Sequence, residues 1–258
     1  MSQPLKQSGK LLTAILLSLL SFSLFAAHPA LLPAHQSRYS VHAYGSHVGE
    51  LHNRLEITEQ QINYTSSITA TGLASMFLGK KATESSVLNT TPGQHSKYPL
   101  QQSYNLYRGK KHKKNQHMTF SKVKAGGFQI DGKYKKKNYS LSTPIALWSR
   151  HVIPLLMSRD LQLDANTTHA TLHITDKGNI NTYTYTLEKS ANIKFNGENF
   201  PVLKFMIQKQ GSNRMSYVWL SKAHYYLPLK IEQYKKGELK GHMQLKNISF
   251  THKATKND

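Results

Sequence analysis

The chain has 258 residues, with 34 Lys or Arg against 13 Asp or Glu, a formal net charge of +21 and no cysteine. The missing cysteines exclude disulfides, thiol catalysis and cysteine-ligated metals together. Hydrophobic residues make up 38%, low for a globular chain but enough for one core, and tyrosines outnumber phenylalanines 14 to 9, as suits strands with one wet face.

Lys6 and Lys10 precede an apolar run from Leu11 to Phe25 that ends at Ala26-Ala27. The run is too short, and too soon followed by His28-Pro29, to anchor the chain in a bilayer. Residues 1–27 are therefore expected to be a cleaved signal peptide and the mature chain to be periplasmic. Cleavage lowers the net charge from +21 to +19. A chain this basic is drawn to the anionic phosphates of an envelope surface.

Residues 28–37 form an N-terminal leader with Pro29 and Pro33, and alternation begins at Arg38. Tyr39, Val41 and Ala43 share a face, Gly45-Ser46 turns, and Leu51, Leu55 and Ile57 lead to a second turn at Glu59-Gln61. Ile62, Tyr64, Ser66 and Ile68 complete a three-strand meander. Thr71–Leu78 is almost continuously apolar between Gly72 and Gly79 and predicts a short helix or buried turn. Strands follow at Ser85–Thr90, Tyr98–Arg108 and Gln116–Val123. Residues 108–137 hold eleven Lys or Arg and a single acid, Asp131. Lys110, Lys111, Lys113 and Lys114 fall in one predicted turn and Lys133, Lys135, Lys136 and Lys137 in another, on the same rim.

Thr143 as N-cap and Pro144 at the first helical position predict a helix to Leu161. Ile145, Trp148, Val152, Leu155 and Leu156 stand at helical spacing, with a kink at Pro154. Beyond it the chain is β again, with turns at Asp176–Asn179, Asn196-Gly197 and Gly211–Asn213. Tyr217–Leu245 is the clearest stretch. A strand ends at Trp219-Leu220, Ser221–His224 turns, Tyr226–Gln233 alternates, and Lys236–Glu238 turns into a last strand. Trp219 is expected to be buried on the concave side, and Pro228 to begin a strand or mark a bulge or edge.

Four features in this order resemble the DUF3108 family of exported Gram-negative bacterial proteins: Tyr44–Gly49, Thr71–Phe77, the Pro-led helix Pro144–Leu161, and Trp219-Leu220 followed by Tyr226–Glu232. The last is also similar to the closing strands of periplasmic lipoprotein carriers, which are curved open sheets with a helical lid over an apolar cavity. The resemblance implies a mainly β fold: a curved antiparallel sheet, an open half-barrel, with one lid helix and a short helical turn. It spans one domain, residues 38–250, with a disordered tail at 251–258. It carries over no catalytic residues, and the basic segment 108–137 departs from the family's plainer pattern.

His42, His47 and His52 cluster in sequence, but His42 and His47 would face opposite sides of one regular strand, and no acid accompanies them at ligand spacing. No metal or cofactor is expected. The acids are scattered and no Gly-x-Ser-x-Gly motif occurs, so no enzyme is expected. Tyr104, Tyr107, Phe120, Tyr134 and Tyr139 flank the basic turns as in single-strand binders, yet an exported chain does not ordinarily meet nucleic acid. The remaining reading is binding of an amphipathic anionic envelope molecule, a lipid or lipopolysaccharide-like glycolipid, with peripheral membrane contact. Leu73, Met76, Phe77, Trp148, Leu155, Leu156 and Trp219 would line the apolar concavity. The eight lysines above would meet the phosphates. The alternative is a scaffold or assembly factor that binds an envelope protein through a sheet edge.

Overall fold

The computed structural model describes residues 32–71, 75, 81–92, 97–108, 115–123 and 126–251. The expected signal peptide, residues 252–258 of the expected tail, the predicted short helix at 71–78 except Thr71 and Ser75 (so Leu73, Met76 and Phe77), and Lys110, Lys111, Lys113 and Lys114 lie outside them.

Going out from the N-terminus, the strands are β1 (His35–Ala43), β2 (Ser46–Ile57), β3 (Gln61–Ala70), β4 (Lys81–Pro92), β5 (Pro99–Tyr107), β6 (Gln116–Lys122), β7 (Phe128–Tyr134) and β8 (Lys137–Thr143). A two-residue β9 (Trp148–Ser149), a 3-10 turn (Arg150–Val152) and one helix, α1 (Ile153–Leu163), follow. The return runs through β10 (His169–Asp176), β11 (Asn179–Phe195), β12 (Glu198–Lys209), β13 (Arg214–Ser221), β14 (Leu227–Lys235) and β15 (Glu238–Phe250). All pair in one sheet in the order β8-β7-β6-β5-β4-β3-β2-β1-β15-β14-β13-β12-β11-β10-β9. The chain thus winds outward from the centre to β8, crosses to the far edge, and winds back until β15 pairs with β1. Neighbours are antiparallel except β9 with β10.

The hairpins are made by left-handed pairs. Asn196-Gly197 and Lys177-Gly178 have positive φ at both residues, the conformation whose twist matches the flanking strands. The β7–β8 turn has the same backbone without glycine: Lys135 and Lys136 sit at φ 50 and 69. A left-handed conformation costs an ordinary L-residue roughly 1–2 kcal/mol.

Pro144 does not open the helix. Thr143 ends β8, Pro144–Leu147 crosses the sheet's open side, and Trp148-Ser149 pairs in parallel with Ile174-Thr175. The Trp148 indole N–H donates to the Pro99 carbonyl at 2.9 Å, which fixes the segment as extended. Pro154 takes the first-turn place instead, where its missing N–H removes a donor that no helix could use. Leu155, Leu156, Met157 and Leu161 of α1 are at most 1% exposed, and each contributes about 1.5–3 kcal/mol by burial. They pack against Leu172, Ile174, Tyr185, Phe205, Val218 and Leu220 from one wing of the sheet and Tyr39, Leu55, Ile62 and Leu88 from the other. Tyr104, Leu106, Met118, Ile130 and Leu147 form a smaller cluster over β5–β7.

Trp219 is a correction. Val218 and Leu220 point into the core, so Trp219 faces the other side of the sheet, half-buried between Lys204 and Lys230, whose Nζ atoms lie 5.4 and 5.0 Å from its ring. Pro228 stands as expected: it is the second residue of β14 at a bulge, where Leu220 pairs with Pro228 while Trp219 pairs with Lys230. Its carbonyl accepts from the Tyr39 hydroxyl at 2.9 Å. Trp219→Ala is therefore expected to cost about 1–2 kcal/mol in a denaturant titration, from two exposed cation–π contacts and partial burial, against roughly 3–5 for a fully packed tryptophan.

Candidate functional site

Three places carry the polar chemistry. The first is the clasp under α1. The Asp160 carboxylate is fully buried, and its Oδ2 accepts from the hydroxyls of Tyr98 (2.5 Å) and Tyr185, while Lys97 Nζ lies 2.6 Å from Oδ1. Tyr98 leads into β5 and Tyr185 belongs to β11, so one side chain ties the helix to both wings. Burial, and then the carboxylate itself, push both phenols above the ordinary tyrosine range and keep them as donors. Ser158 adds a bond to the Tyr225 carbonyl at 2.7 Å. The sequence hint was an acid inside the apolar run of α1.

The second is an internal polar network at the crossing segment. His151 Nδ1 lies 2.9 Å from Ser86 Oγ, and its Nε2 lies 2.8 Å from Ser66 Oγ. Ser66 in turn donates to Asn53 Oδ1 at 2.7 Å, and the imidazole stacks on Tyr64. Gln101 binds both the Ser149 hydroxyl and its backbone N–H. Beside it, Glu84 accepts from Tyr104 at 3.0 Å and from Arg150 at 3.3 Å. Burial drives the His151 pKa down to about 4, from an ordinary 6.5. The ring is neutral at pH 7, with one nitrogen donating and one accepting.

A stability prediction follows. Between pH 6.5 and 4 the unfolded chain binds a proton at this imidazole that the folded chain does not, so stability falls as pH drops through that window. The full shift is worth about 3 kcal/mol, of which about 2 kcal/mol is lost by pH 4.5, before the folded-state pKa is reached. His151→Gln should flatten the dependence in urea titrations at pH 7 and pH 4.5. An unchanged pH slope in the variant would count against the assignment.

A cavity of about 100 Å³ borders this network, lined by Tyr39, Leu51, Tyr64, Leu155, Leu227 and Met243 among others. Ligand sites usually enclose about 300–1,000 Å³. Of the expected apolar lining residues, Leu155 touches the cavity, Trp148 and Leu156 are packed into the core, and Trp219 is on the far face. Among the described residues, the concave side at this cavity is packed as core, and about 100 Å³ holds little beyond water.

The third place is one end of the sheet. Because the strands meander, the connections alternate between ends. The register puts the turns 43–46, 134–137, 176–179, 209–214 and 235–238 at the same end, together with the residues that flank 71–80 and 108–115. Lys133, Lys135, Lys136 and Lys137 are all exposed there, as are Lys81, Lys177, Arg214, Lys235 and Lys236. The acids Asp176 and Glu238 at this end are each paired, with Lys177 and Lys240. Exposed Tyr44, at 77%, projects from the 43–46 turn, and Tyr107 stands where β5 ends. The opposite end carries Glu59, Glu198 and Asp164 among fewer bases. His42 and His47 are cross-strand partners near the basic end, in ring contact and not on opposite faces as expected, because a turn and not one regular strand separates them. His42 also stacks on His242 of β15, while His52 lies further along β2, and no group of His, Asp or Glu among the described residues has metal-binding geometry.

Fold and sites together define an open, barrel-like antiparallel sheet with a helix fixed in its concavity and a basic end. The chain belongs to the DUF3108 family, proteins of unknown function, whose model matches residues 38–244. Its fold is that of a β-barrel-like DUF1849 protein from Brucella abortus, at TM-score 0.52 and 11% identity over 86% of this chain and 100% of that one. Weaker likenesses are to an exported protein with a YmcC-like fold from Bacteroides fragilis (TM-score 0.39, 10% identity, 85% and 99% of the two chains) and to a protein described as a lipoprotein from Parabacteroides distasonis (0.35, 14%, 85% and 97%). No curated protein matches the chain.

Proposed function

We propose that this is an exported, non-enzymatic binding protein that meets an anionic amphipathic envelope molecule, a lipid or lipopolysaccharide-like glycolipid, through the basic end of its half-barrel. The observation that carries the reading is the segregation of charge: unpaired lysines gather at one end of the sheet while the acids at that end are neutralised by pairing. Exposed Tyr44 and Tyr107 at the same end suit a water–lipid boundary, where an amphipathic ring has both surroundings it prefers. Export rests on the leader from Lys6 to Ala27.

The contact is with headgroups. A cavity of about 100 Å³ has no room for an acyl chain, so the acyl part stays in its membrane. The sheet-edge alternative finds less support. On β8 the β10–β11 turn packs on the Tyr139 ring, which an added Gly178 Cβ would approach to 3.1 Å. Sedimentation with vesicles tests the reading: binding to vesicles containing anionic lipid and none to neutral vesicles is expected. Equal binding to both, or to neither, would overturn it.

A further inference from the structure

The outer face of the sheet holds a groove of about 410 Å³ that neither the core nor the basic end uses. It lies across the centre of the sheet, where the first and last strands meet. Two cross-strand rows build it: Gln36, Arg54 and Thr65 are opposite one another on β1, β2 and β3, and Arg38, His52 and Ser67 form the next row. On β15, Ser249 and Asn247 extend the two rows on the other side. Every residue lining the groove is polar, and none is acidic.

We infer that this groove is a binding site for an acidic oligosaccharide. The composition argues for the ligand class. With no hydrophobic side chain in the lining, a lipid chain or an apolar peptide gains little by entering. A ligand dense in hydroxyls and carboxylates matches amides, hydroxyls and guanidiniums atom for atom. Strands lie about 4.8 Å apart and same-face residues about 6.8 Å apart along a strand, so the donors repeat on the scale of a sugar ring. Arg38 and Arg54 stand diagonally across the β1–β2 pair, a separation of about 7–8 Å. Each planar fork can take a carboxylate with two parallel hydrogen bonds.

The two arginines are held only by exposed ion pairs. Arg38 lies 3.8 Å from Glu50, which also has His52 at 3.4 Å, and Arg54 lies 2.6 Å from Glu56. All these side chains are more than a third exposed. Exposed ion pairs of this kind contribute little, and each guanidinium has five N–H donors, so an incoming carboxylate adds bonds without breaking costly ones. Net positive charge over the whole chain favours approach.

The test uses tetragalacturonate, with maltotetraose as its neutral counterpart, titrated into the full-length protein and followed by calorimetry. Saturable binding of the uronate is expected, at least tenfold tighter than the neutral sugar. Arg38→Gln with Arg54→Gln should weaken it at least tenfold, while Lys133→Gln with Lys137→Gln at the basic end should change it less than twofold. Should the double arginine variant fail to fold, Ser67→Glu, which sets a carboxylate in the groove, should give the same loss. No saturable binding, equal affinity for the neutral sugar, or equal loss from the lysine pair would each overturn the proposal. None of these outcomes decides vesicle binding at the basic end, which is read separately.

Discussion

Asp160→Ala is expected to lower the unfolding free energy by about 3–5 kcal/mol, the loss typical when one member of a buried charged cluster is removed and its partners stay behind. The variant strands the hydroxyls of Tyr98 and Tyr185 and leaves Lys97 without its carboxylate. Tyr98→Phe and Tyr185→Phe should each cost about 1.5–3 kcal/mol, since each removes one hydrogen bond to a charged group. The three changes share one carboxylate and should not add. Denaturant titrations of the single variants and of the double tyrosine variant measure this. A loss under about 1 kcal/mol for Asp160→Ala would mean that apolar packing alone holds α1. The consequence for function is mechanical: a helix tied to both wings is a fixed plug, and the fold has no need of a moving lid.

The β elements were legible because alternation and turn residues are local. Asp176–Asn179, Asn196-Gly197 and Lys236–Glu238 turn where the sequence says. The helix start was misread because Thr143-Pro144 carries the stronger local signal, a capping residue before proline, while the actual N-cap, Val152, has no capping side chain and only Pro154 marks the first turn. What separates them is distant: Trp148 reaching Pro99, and β9 pairing with β10. The face of Trp219 was hidden for a related reason. Val218, Trp219 and Leu220 are all apolar, so alternation is silent, and the cross-strand partners Lys204 and Lys230 decide. The lysines of 108–137 were visible as a charge run. That Arg214, Lys235 and Lys236 share their end of the sheet depends on β15 pairing with β1, a contact between the two ends of the chain. Asp160 and His151 took on meaning only when their partners, 25 to 85 residues away, were in place.

Changing Lys133→Gln, Lys135→Asn, Lys136→Gly and Lys137→Gln together should weaken binding to anionic vesicles by about a hundredfold or more. Each lysine near such a surface contributes on the order of 1 kcal/mol, and four together correspond to nearly a thousandfold before losses to imperfect geometry. The β7–β8 turn makes this variant informative. Lys135 and Lys136 occupy left-handed backbone that asparagine and glycine adopt more readily, so the variant should be more stable than the parent by about 1–2 kcal/mol. Weaker binding with higher stability cannot come from unfolding. Raising salt should weaken the parent's binding steeply, because exposed charges are screened beyond about 8 Å at physiological ionic strength. The control changes Lys122, Lys189, Lys194 and Lys222, all exposed and away from the basic end, to glutamine. It removes the same charge and should cost less than tenfold. Equal losses from the two sets would mean that net charge alone draws the protein to the surface, and that the strained lysine pair at the sheet's end serves no docking role.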